Sequence, residues 1–473
     1  MLFMIYFSYF IILYAITENW RYMVISLVIF LIINYLLRKQ HIIKIIFWSF
    51  ILVSLAWIFY QYRNPYGEYE KTFIGQGSIT NNLRENQYEF QTSDKTYLLY
   101  GKNLHELWDT IRLVAKQSKP KQQTWFFEFN YAKWLHMKGY QWALYEENST
   151  PTISTNQLPW QTKIKSFVQN KVQETYGKNS YAWLLLGMII WDISLLSKVE
   201  YQQFIDSGLV HMLVVSGWNI LLVIVFLNAI LFFIPLYPRT IIIILWIIAY
   251  ALVCWMDSSI LRAVIMWVIS LISIFPGRLV NKRRMLGITY IIMLLINPYY
   301  LVYDLGFLLS FSAILGLTIW WEIQEQKNNK NKEKPVNKIQ KTRRKFYTSY
   351  LLPNIFVSIA IFPVIIFFMW KINLLSIWAN ILVIPIIPII LLYWVGSCVI
   401  FSFREISFLP RIWKIFIDWI FQVNSLFSKR WIYLFVDEQR IKILLFLWMI
   451  FFLFRWFKKQ FVQYSSTRDR TGK

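Results

Sequence analysis

Long apolar runs and one polar stretch divide the chain. Three hydrophobic segments come first, at roughly residues 2–17, 24–37 and 45–60. A polar stretch follows from Gln61 to about Trp160, and apolar runs then continue to about Phe457. Runs approaching the ~20 residues that a perpendicular span requires predict helices that cross a bilayer. We therefore expect a mainly α-helical, polytopic membrane bundle with one small, external, β-rich domain.

The polar stretch, residues 61–160, has the short apolar runs of a β-rich domain. They predict strands at Glu70–Ile79, Tyr88–Thr92, Thr96–Tyr100, Thr124–Phe129 and Gln141–Tyr145, and a helix from Leu104 to Lys116. The stretch holds 11 Lys and Arg against 10 Asp and Glu, so it is nearly neutral. It separates N-terminal spans in residues 1–60 from a transmembrane core in residues 161–402. C-terminal spans and a basic tail follow in residues 403–473.

Composition and charge narrow the class of protein and predict its orientation in the membrane. Of 473 residues, 57% are hydrophobic and 16% charged, with a net charge of +24, which excludes an ordinary cytosolic enzyme. Basic clusters lie at residues 38–44, 278–284, 322–347 and 455–473. The positive-inside rule makes these clusters and both termini cytoplasmic, and residues 61–160 external. A count of about twelve spans places every basic cluster on the cytoplasmic side, provided that residues 181–197 do not cross the membrane fully. We interpret Met1–Thr17 as a first span, because it lacks the basic start and cleavage site of a signal peptide.

Signatures of enzymatic chemistry do not occur in the sequence. It contains no GxxxxGK[ST] nucleotide loop, no HExxH and no His-rich or Asp-rich metal cluster. Cys254 and Cys398 both lie in apolar stretches, which argues against a disulfide or a thiolate metal site. We therefore expect neither catalytic activity, nor a cofactor, nor a metal ion.

Polar residues inside the apolar runs are the candidate functional groups. Such groups are costly at membrane depth and are retained where they pair or line a cavity. The candidates for a polar path are His211, Ser216, Gly217, Asn219, Asp257, Ser259, Arg262, Asp304, Ser310 and Asn380. Asp257 and Arg262 are the predicted charge pair. The alternative for each residue is a hydrogen bond that only holds two helices together.

These residues lie in ordered motifs that resemble one family. Residues 211–219, HMLVVSGWN, resemble the HLLAVSGLH signature of the ComEC competence proteins. Residues 258–263, SSILRA, resemble the PSxxRA helix start of that family. Residues 297–311 resemble its NP…DPGFQLSF segment, and residues 379–385 its ANLLAVP segment. Residues 129–139, FNYAKWLHMKG, are similar to the end of its external OB-like domain.

The resemblance implies a channel that passes single-stranded DNA through the cytoplasmic membrane during natural transformation. It implies as partners single-stranded DNA, membrane lipid, a cytoplasmic helicase or ATPase, and DNA-binding competence proteins. A separate nuclease is expected as well, since the HxHxDH run of a metallo-β-lactamase-like domain does not occur in this sequence. Asn219, Asp257 and Leu305 depart from the family pattern, which has histidine at the first position and proline at the other two.

Two other classes of function stay open at this point. One is a polytopic transporter or membrane enzyme that acts on a small polar or lipid-linked substrate through the same polar groups. The other is a membrane scaffold without a pore.

Tryptophan and glycine occur in unusual proportions. The chain has 24 Trp and only 15 Gly in 473 residues, although glycine usage averages about 7%. Comparison with the family places Trp183, Trp191, Trp255 and Trp370 where glycine is usual, and Trp218 where a small residue is often found. We predict that some of these tryptophans are glycines in the native protein, through a UGA codon reassigned to glycine. The alternative is a protein that is genuinely rich in aromatic residues.

Overall fold

The computed structural model describes about half of the chain in several stretches. The described residues are 72–84, 86–93, 95–101, 110–118, 134–135, 137–152, 160–177, 180–190, 192, 196–213, 215, 217–254, 256–277, 282–330, 351–369, 371–373, 375–391, 409–429 and 433–435. The spans predicted in residues 1–60 and 441–457 and the strand predicted at Thr124–Phe129 lie outside these residues.

Five strands close into a barrel in the polar stretch. They are β1 (Thr72–Arg84), β2 (Gln87–Gln91), β3 (Thr96–Tyr100), β4 (Thr110–Ser118) and β5 (Ala143–Thr152), and the order around the barrel is β1-β2-β3-β5-β4. All neighbours are antiparallel except β3 and β5, which are parallel. The predicted β-rich character of this region is confirmed.

Alternation of inward and outward side chains forms the barrel core. Phe90, Leu99, Leu113 and Leu144 point inward and are fully buried. The helix predicted from Leu104 to Lys116 is wrong over residues 110–116, which belong to strand β4, and residues 104–109 lie outside the described residues. Along β4, buried and more exposed residues alternate with the two-residue period of a strand, and burial of the apolar set decides the conformation.

Helices account for most of the remaining described residues, which confirms the prediction of a mainly α-helical chain. They are α1 (Trp160–Tyr176), α2 (Ser180–Ile190), α3 (Lys198–Ser207), α4 (Gly217–Ile230), α5 (Leu236–Val253), α6 (Ser258–Ile272), α7 (Lys282–Ile296), α8 (Tyr300–Tyr303), α9 (Leu305–Lys330), α10 (Leu352–Met369), α11 (Ser376–Val383) and α12 (Leu409–Phe427). A short 3₁₀ turn, Val210–Met212, precedes α4, and strands β6 (Lys371–Asn373) and β7 (Tyr433–Phe435) pair with each other.

Helices α4, α5 and α6 pack around a shared apolar core. Ile220 and Ile224 of α4 meet Ile243 and Ile247 of α5, and Ile260 of α6 closes the cluster. These side chains recur at spacings of three or four residues, so each helix presents one apolar face to the others. The starts of α4 and α6, where the sequence motifs lie, are held side by side as a result.

Two described helical segments are long and apolar enough to cross a membrane, Val210–Ile230 and Leu236–Val253. Five more are apolar but shorter: Ser258–Ile272, Arg284–Ile296, Leu305–Trp321, Leu352–Ile365 and Ser376–Leu391. Helix α2 has 11 residues, so it rises about 16 Å, well short of the ~30 Å hydrocarbon core. The full count of about twelve spans stays a prediction.

The chain divides into two compact units. Unit 1 comprises Met1–Gln203, Val210–Phe307 and Pro385–Phe421, and unit 2 comprises Phe204–Leu209, Leu308–Ile384 and Gln422–Lys473. Unit 1 contains the barrel and the core of α4 to α6. In unit 2, α9 packs closely on α10 at Gly316, where an added Cβ would lie 2.7 Å from the carbonyl oxygen of Phe356.

A cluster of uncharged hydrogen-bonding groups joins helix ends in unit 2. The side-chain amide of Asn373 donates to the carbonyl oxygens of Asp206 (2.9 Å) and Phe427 (2.7 Å) and accepts from the backbone N–H of Leu375 (2.9 Å). Ser207 Oγ donates to Asn424 Oδ1 over 2.6 Å. We call Ser207, Asn373 and Asn424, all buried, the neutral junction.

Candidate functional site

Asp304 connects the starts of two helices in unit 1. Its Oδ1 accepts hydrogen bonds from the backbone N–H of Phe307 (2.8 Å) and from Ser258 Oγ (2.9 Å). The first bond satisfies an N–H in the opening turn of α9, which has no partner within the helix. The second ties α9 to the first residue of α6. Asp304 is only 4% exposed, so this polar contact is made inside the protein.

Lys138, which lies between the barrel strands β4 and β5, supplies the positive charge at this place. Its Nζ lies 2.8 Å from Asp257 Oδ1 and 3.8 Å from Asp304 Oδ2. The side chains of Lys138, Asp257 and Asp304 are 30%, 12% and 5% exposed. We call Lys138, Asp257, Ser258 and Asp304 the charged junction. One cation faces two carboxylates there, and the formal net charge is −1.

The pKa of Lys138 lies above its ordinary value. Burial alone would lower this pKa, but the nearby charges of Asp257 and Asp304 outweigh burial and stabilise the ammonium form. Lys138 is therefore a permanent cation at neutral pH. Asp257 begins α6 without a side-chain hydrogen bond to that helix, since its carboxylate is committed to Lys138 instead.

An apolar contact and one amide hold Lys138 in place. Met137 packs with Tyr299 and Tyr303, at the turn between α7 and α9. Asn297 Nδ2 donates to the carbonyl oxygen of Met137 over 3.0 Å, while its Oδ1 accepts from the backbone N–H of Tyr299. The segment that carries Lys138 is thus fixed to the motif of residues 297–311 by contacts independent of the ion pair.

Small residues allow the motif segments to approach each other. A Cβ added to Gly306 would lie 3.1 Å from both Asp304 Oδ1 and Ser258 Oγ. A Cβ added to Gly217 would lie 3.3 Å from the Cβ of Ala263 on α6. Glycine at these two positions therefore lets the first turns of α9 and α4 lie against the first turn of α6.

Asn219 bonds to the end of a neighbouring helix. Its Nδ2 donates to the carbonyl oxygen of Met188 over 2.6 Å, and Tyr250 Oη donates to that of Ile189 over 2.7 Å. Carbonyls in the last turn of a helix have no partner within it, so both side chains complete the C-terminal end of α2. This hydrogen bond joins α4 to α2, and a role of Asn219 in a polar path stays a prediction.

The other predicted site residues are distributed over both units. Arg262 is buried in α6, and His211 is exposed on the 3₁₀ turn before α4. Ser310 and Asn380 belong to unit 2, and Ser216 is outside the described residues. The structure pairs Asp257 with Lys138, which sequence reasoning did not consider, and the pairing of Asp257 with Arg262 stays a prediction.

Several buried oxygens of the predicted site have no hydrogen-bond partner among the described residues. They are Ser259 Oγ and Asp304 Oδ2 in unit 1 and Asn380 Oδ1 in unit 2. Buried polar atoms are rarely left in this state, because each costs free energy comparable to a lost hydrogen bond. These atoms are available to water or to a polar ligand.

Sequence reasoning missed a second buried polar cluster in unit 1. Asp192 is 1% exposed and accepts a hydrogen bond from Gln169 Nε2, and Lys165 is 3% exposed. The signal for Asp192 was present, since it is a single acid within the apolar run 181–197. Across the described stretches, no group of three or more His, Cys, Asp or Glu side chains could hold a metal ion.

Of the five tryptophans at positions where the family has glycine or another small residue, two have described side chains. Trp183 is 7% exposed on α2, and Trp218 is 49% exposed at the start of α4. Trp191, Trp255 and Trp370 lie outside the described residues. Mass spectrometry of the native protein should find glycine at positions 183, 191 and 255, and tryptophan at all three would refute the recoding hypothesis.

Comparison with known proteins bears on the same motifs. The sequence profile of one family, described as "Competence protein", matches residues 188–460, more than half of the 473-residue chain. The chain belongs to the competence-protein family. The matched region includes Asn219, Asp257 and Asp304, whereas Lys138 and the barrel precede it. No curated protein and no solved structure matches the chain.

Proposed function

We propose that this chain is a membrane channel that passes single-stranded DNA across the cytoplasmic membrane during natural transformation. The observation that carries the proposal is the family match over residues 188–460, which indicates a role in DNA uptake. Four of the five motifs that resemble ComEC proteins lie within that match, and the fifth, residues 129–139, precedes it by about 50 residues. We propose the ComEC type on the strength of these motifs.

The polar groups of the helical region support a wet path. A DNA strand carries one negative charge per nucleotide, so its route through a membrane needs water, donors or cations. In unit 1, Ser259 Oγ and Asp304 Oδ2 are buried oxygens with no hydrogen-bond partner in the described part of the chain, and such atoms are suited to contact with water. Because carboxylates repel phosphate, we assign Asp257 and Asp304 to the support of the path rather than to direct contact with DNA.

The proposed topology has about twelve spans, cytoplasmic termini and an external, OB-like barrel domain. It is supported by the basic clusters at residues 322–347 and 455–473 and by the two long apolar helices. Single cysteines at Ser93 and Asn337, introduced after replacement of Cys254 and Cys398, test it in intact cells. An impermeant reagent should label position 93 and spare position 337, and the reverse labelling would overturn the orientation.

Binding of labelled single-stranded DNA to the purified chain separates this function from a transporter of small solutes. We expect binding that weakens steeply as salt rises, because phosphate contacts release counterions. Saturable binding of a small polar or lipid-linked solute, without DNA binding, would favour the transporter or enzyme. Absence of ion conductance in planar bilayers would favour a scaffold without a pore.

His211 is the ionisable residue of the signature, and its side chain is exposed on the 3₁₀ turn before α4. We expect His211→Ala to reduce DNA uptake while membrane insertion and the amount of protein stay unchanged. Uptake at the wild-type level would make His211 a packing residue only.

The energy source and the partners are proposed from the chain's chemistry. Since the sequence has no nucleotide-binding loop, ATP-driven pulling must come from a cytoplasmic helicase or ATPase, with DNA-binding competence proteins receiving the strand. A separate nuclease would remove the second strand. Pull-down of these proteins with the tagged chain during competence tests this set of partners.

A further inference from the structure

Two tyrosines form a stacked pair on the outside of the barrel. Tyr100 is the last residue of β3, and Tyr145 is its partner in register on the parallel strand β5. Their ring centroids are 4.8 Å apart and the ring planes differ by 7°. The adjacent residues Leu99 and Leu144 point into the barrel core, so alternation places both tyrosines on the outer surface.

One side of this pair is supported by protein and the other remains exposed. Tyr100 packs against an apolar cluster formed by Leu98, Leu135 and Ala143, which continues the same outer face. Tyr145 is 45% exposed even though one of its ring faces stacks on Tyr100. The pair is therefore a rigid aromatic surface, because Tyr100 and the apolar cluster behind it fix the orientation of the Tyr145 ring.

Lys116 lies next to this surface on strand β4, and Arg112 lies about 13 Å farther along the same strand. Lys116 is the register partner of Tyr145, its side chain is 70% exposed, and it pairs with Glu147 at 2.6 Å. Arg112, four residues earlier on β4, shares the outer face and is exposed. Burial raises the pKa of the Tyr145 hydroxyl, with a further contribution from Tyr100, so the phenol is uncharged at neutral pH and does not repel an anion.

We propose that Tyr145, backed by Tyr100, is a stacking platform for one base of a single nucleic-acid strand, with Arg112 and Lys116 facing the adjacent phosphates. Aromatic side chains beside cations bind single strands without regard to sequence, because every base has a π-face. With Glu147 opposing two cations, the contact is weak, as suits a strand that must move on. The assignment rests on the proposed function and locates its contact on the barrel.

Binding of a fluorescent single-stranded oligo-dT to the full chain in lipid nanodiscs tests the platform. We expect Tyr145→Leu, which keeps an apolar side chain, to weaken binding roughly five- to 100-fold, the range that loss of one stacked base produces. Tyr145→Phe should bind like the wild type. Ile74→Ala is the matched control, since Ile74 is 65% exposed on the barrel strand β1 and belongs to no aromatic pair.

Photocrosslinking gives a second readout that does not depend on affinity. An oligonucleotide carrying 5-iodouracil should crosslink to Tyr145 in the wild type, as identified by mass spectrometry, and lose that crosslink in Tyr145→Leu. Equal affinity of Tyr145→Leu and the wild type, or crosslinks confined to other regions, would overturn the platform while DNA binding by the chain still stood. Displacement of the oligonucleotide by a neutral oligosaccharide at the same site would overturn it in favour of a sugar-binding surface. If the wild-type chain did not bind the oligonucleotide at all, both the platform and the proposed function would be overturned.

Discussion

The charged junction in unit 1 and the neutral junction in unit 2 both hold helix ends together, but they use different chemistry. In the charged junction, Asp304 and Ser258 join α9 to α6, and Lys138 adds an ion pair to Asp257. In the neutral junction, Asn373 completes two carbonyls through its amide alone. Uncharged side chains are therefore sufficient to hold helix ends in this protein.

Because uncharged groups suffice in the neutral junction, the presence of an ion pair in the charged junction requires a reason other than the joining of helix ends. Removing charges from water is expensive, and a buried ion pair is often no more stabilising than an apolar contact. Lys138 lies 119 residues before Asp257, so the ion pair connects the segment between β4 and β5 to the helices of the family region. We interpret the charged junction as a specific attachment of that segment to the start of α6 and α9.

The largest effect should come from removing the buried carboxylate of the charged junction. Asp304→Ala takes away the cap of α9 and the acceptor of Ser258, and leaves Lys138 with one carboxylate. We expect the free energy of unfolding to fall by about 2–5 kcal/mol, because the loss of the helix cap and the loss of the acceptor for Ser258 add together. Thermal and SDS-induced unfolding in detergent measure this. Asp304→Asn keeps a hydrogen-bond acceptor and should lose less, and equal losses in the two variants would contradict the assigned role of the cap.

Removal of the cation should have a smaller effect. Lys138→Met leaves two carboxylates facing each other without a counter-charge, and we expect a loss of about 1.5–3 kcal/mol, typical of a hydrogen bond to a charged group. Lys138→Arg keeps the charge and should recover most of the stability. If Lys138→Met and Lys138→Arg were equally stable, Lys138 would stabilise the protein through its aliphatic stem rather than through its charge.

The contribution of Lys138 should also depend on pH in one direction only. Because its folded-state pKa is raised, its stabilisation is fully present below the unfolded pKa of about 10.4 and is lost as pH rises through the folded value. The stability difference between the wild type and Lys138→Met should stay constant from about pH 7 to pH 9 and shrink above about pH 10.5. A difference that changed between pH 7 and 9 would place the titrating group elsewhere.

The neutral junction should respond at a similar or slightly smaller scale and without pH dependence. Asn373→Ala leaves the carbonyls of Asp206 and Phe427 without the amide donor, and we expect a loss of about 1–3 kcal/mol. Unfolding measured at pH 6 and pH 9 should give the same loss. Ser428→Ala, which removes a hydroxyl whose hydrogen bond to the Ser425 carbonyl is exposed, is the control and should change stability by less than about 0.5 kcal/mol. A loss in that control as large as in Asn373→Ala would mean that the effect is not specific to the amide of Asn373.

The sequence predicted the helix starts of the site better than their contacts. Asp257 and Asp304 were identified because acids in apolar runs need partners, and both lie in the charged junction. Their shared partner Lys138 was missed, because an ordinary lysine in a polar stretch carries no signal and the contact is set by tertiary packing. The neutral junction gave no signal either, since Asn373, Ser207 and Asn424 are uncharged residues without a fixed spacing.

The barrel shows the same limit for secondary structure. Strands β1, β2, β3 and β5 were predicted approximately where they occur, because each has a short apolar run. Strand β4 was predicted as part of a helix, since residues such as Leu113, Ala115 and Lys116 also suit a helix. Its pairing with both β1 and β5, which are distant in sequence, decided the outcome.

Uptake of labelled DNA by the native host is the most direct test of the central claim that the chain passes DNA through the membrane. The gene is deleted, and cells are supplied with the wild-type chain or with none under conditions that induce competence. We predict that cells without the chain bind DNA at their surface but accumulate no nuclease-protected single strands inside, and that the wild-type chain restores them. Undiminished accumulation of internal single strands in the deletion strain would contradict the proposed function.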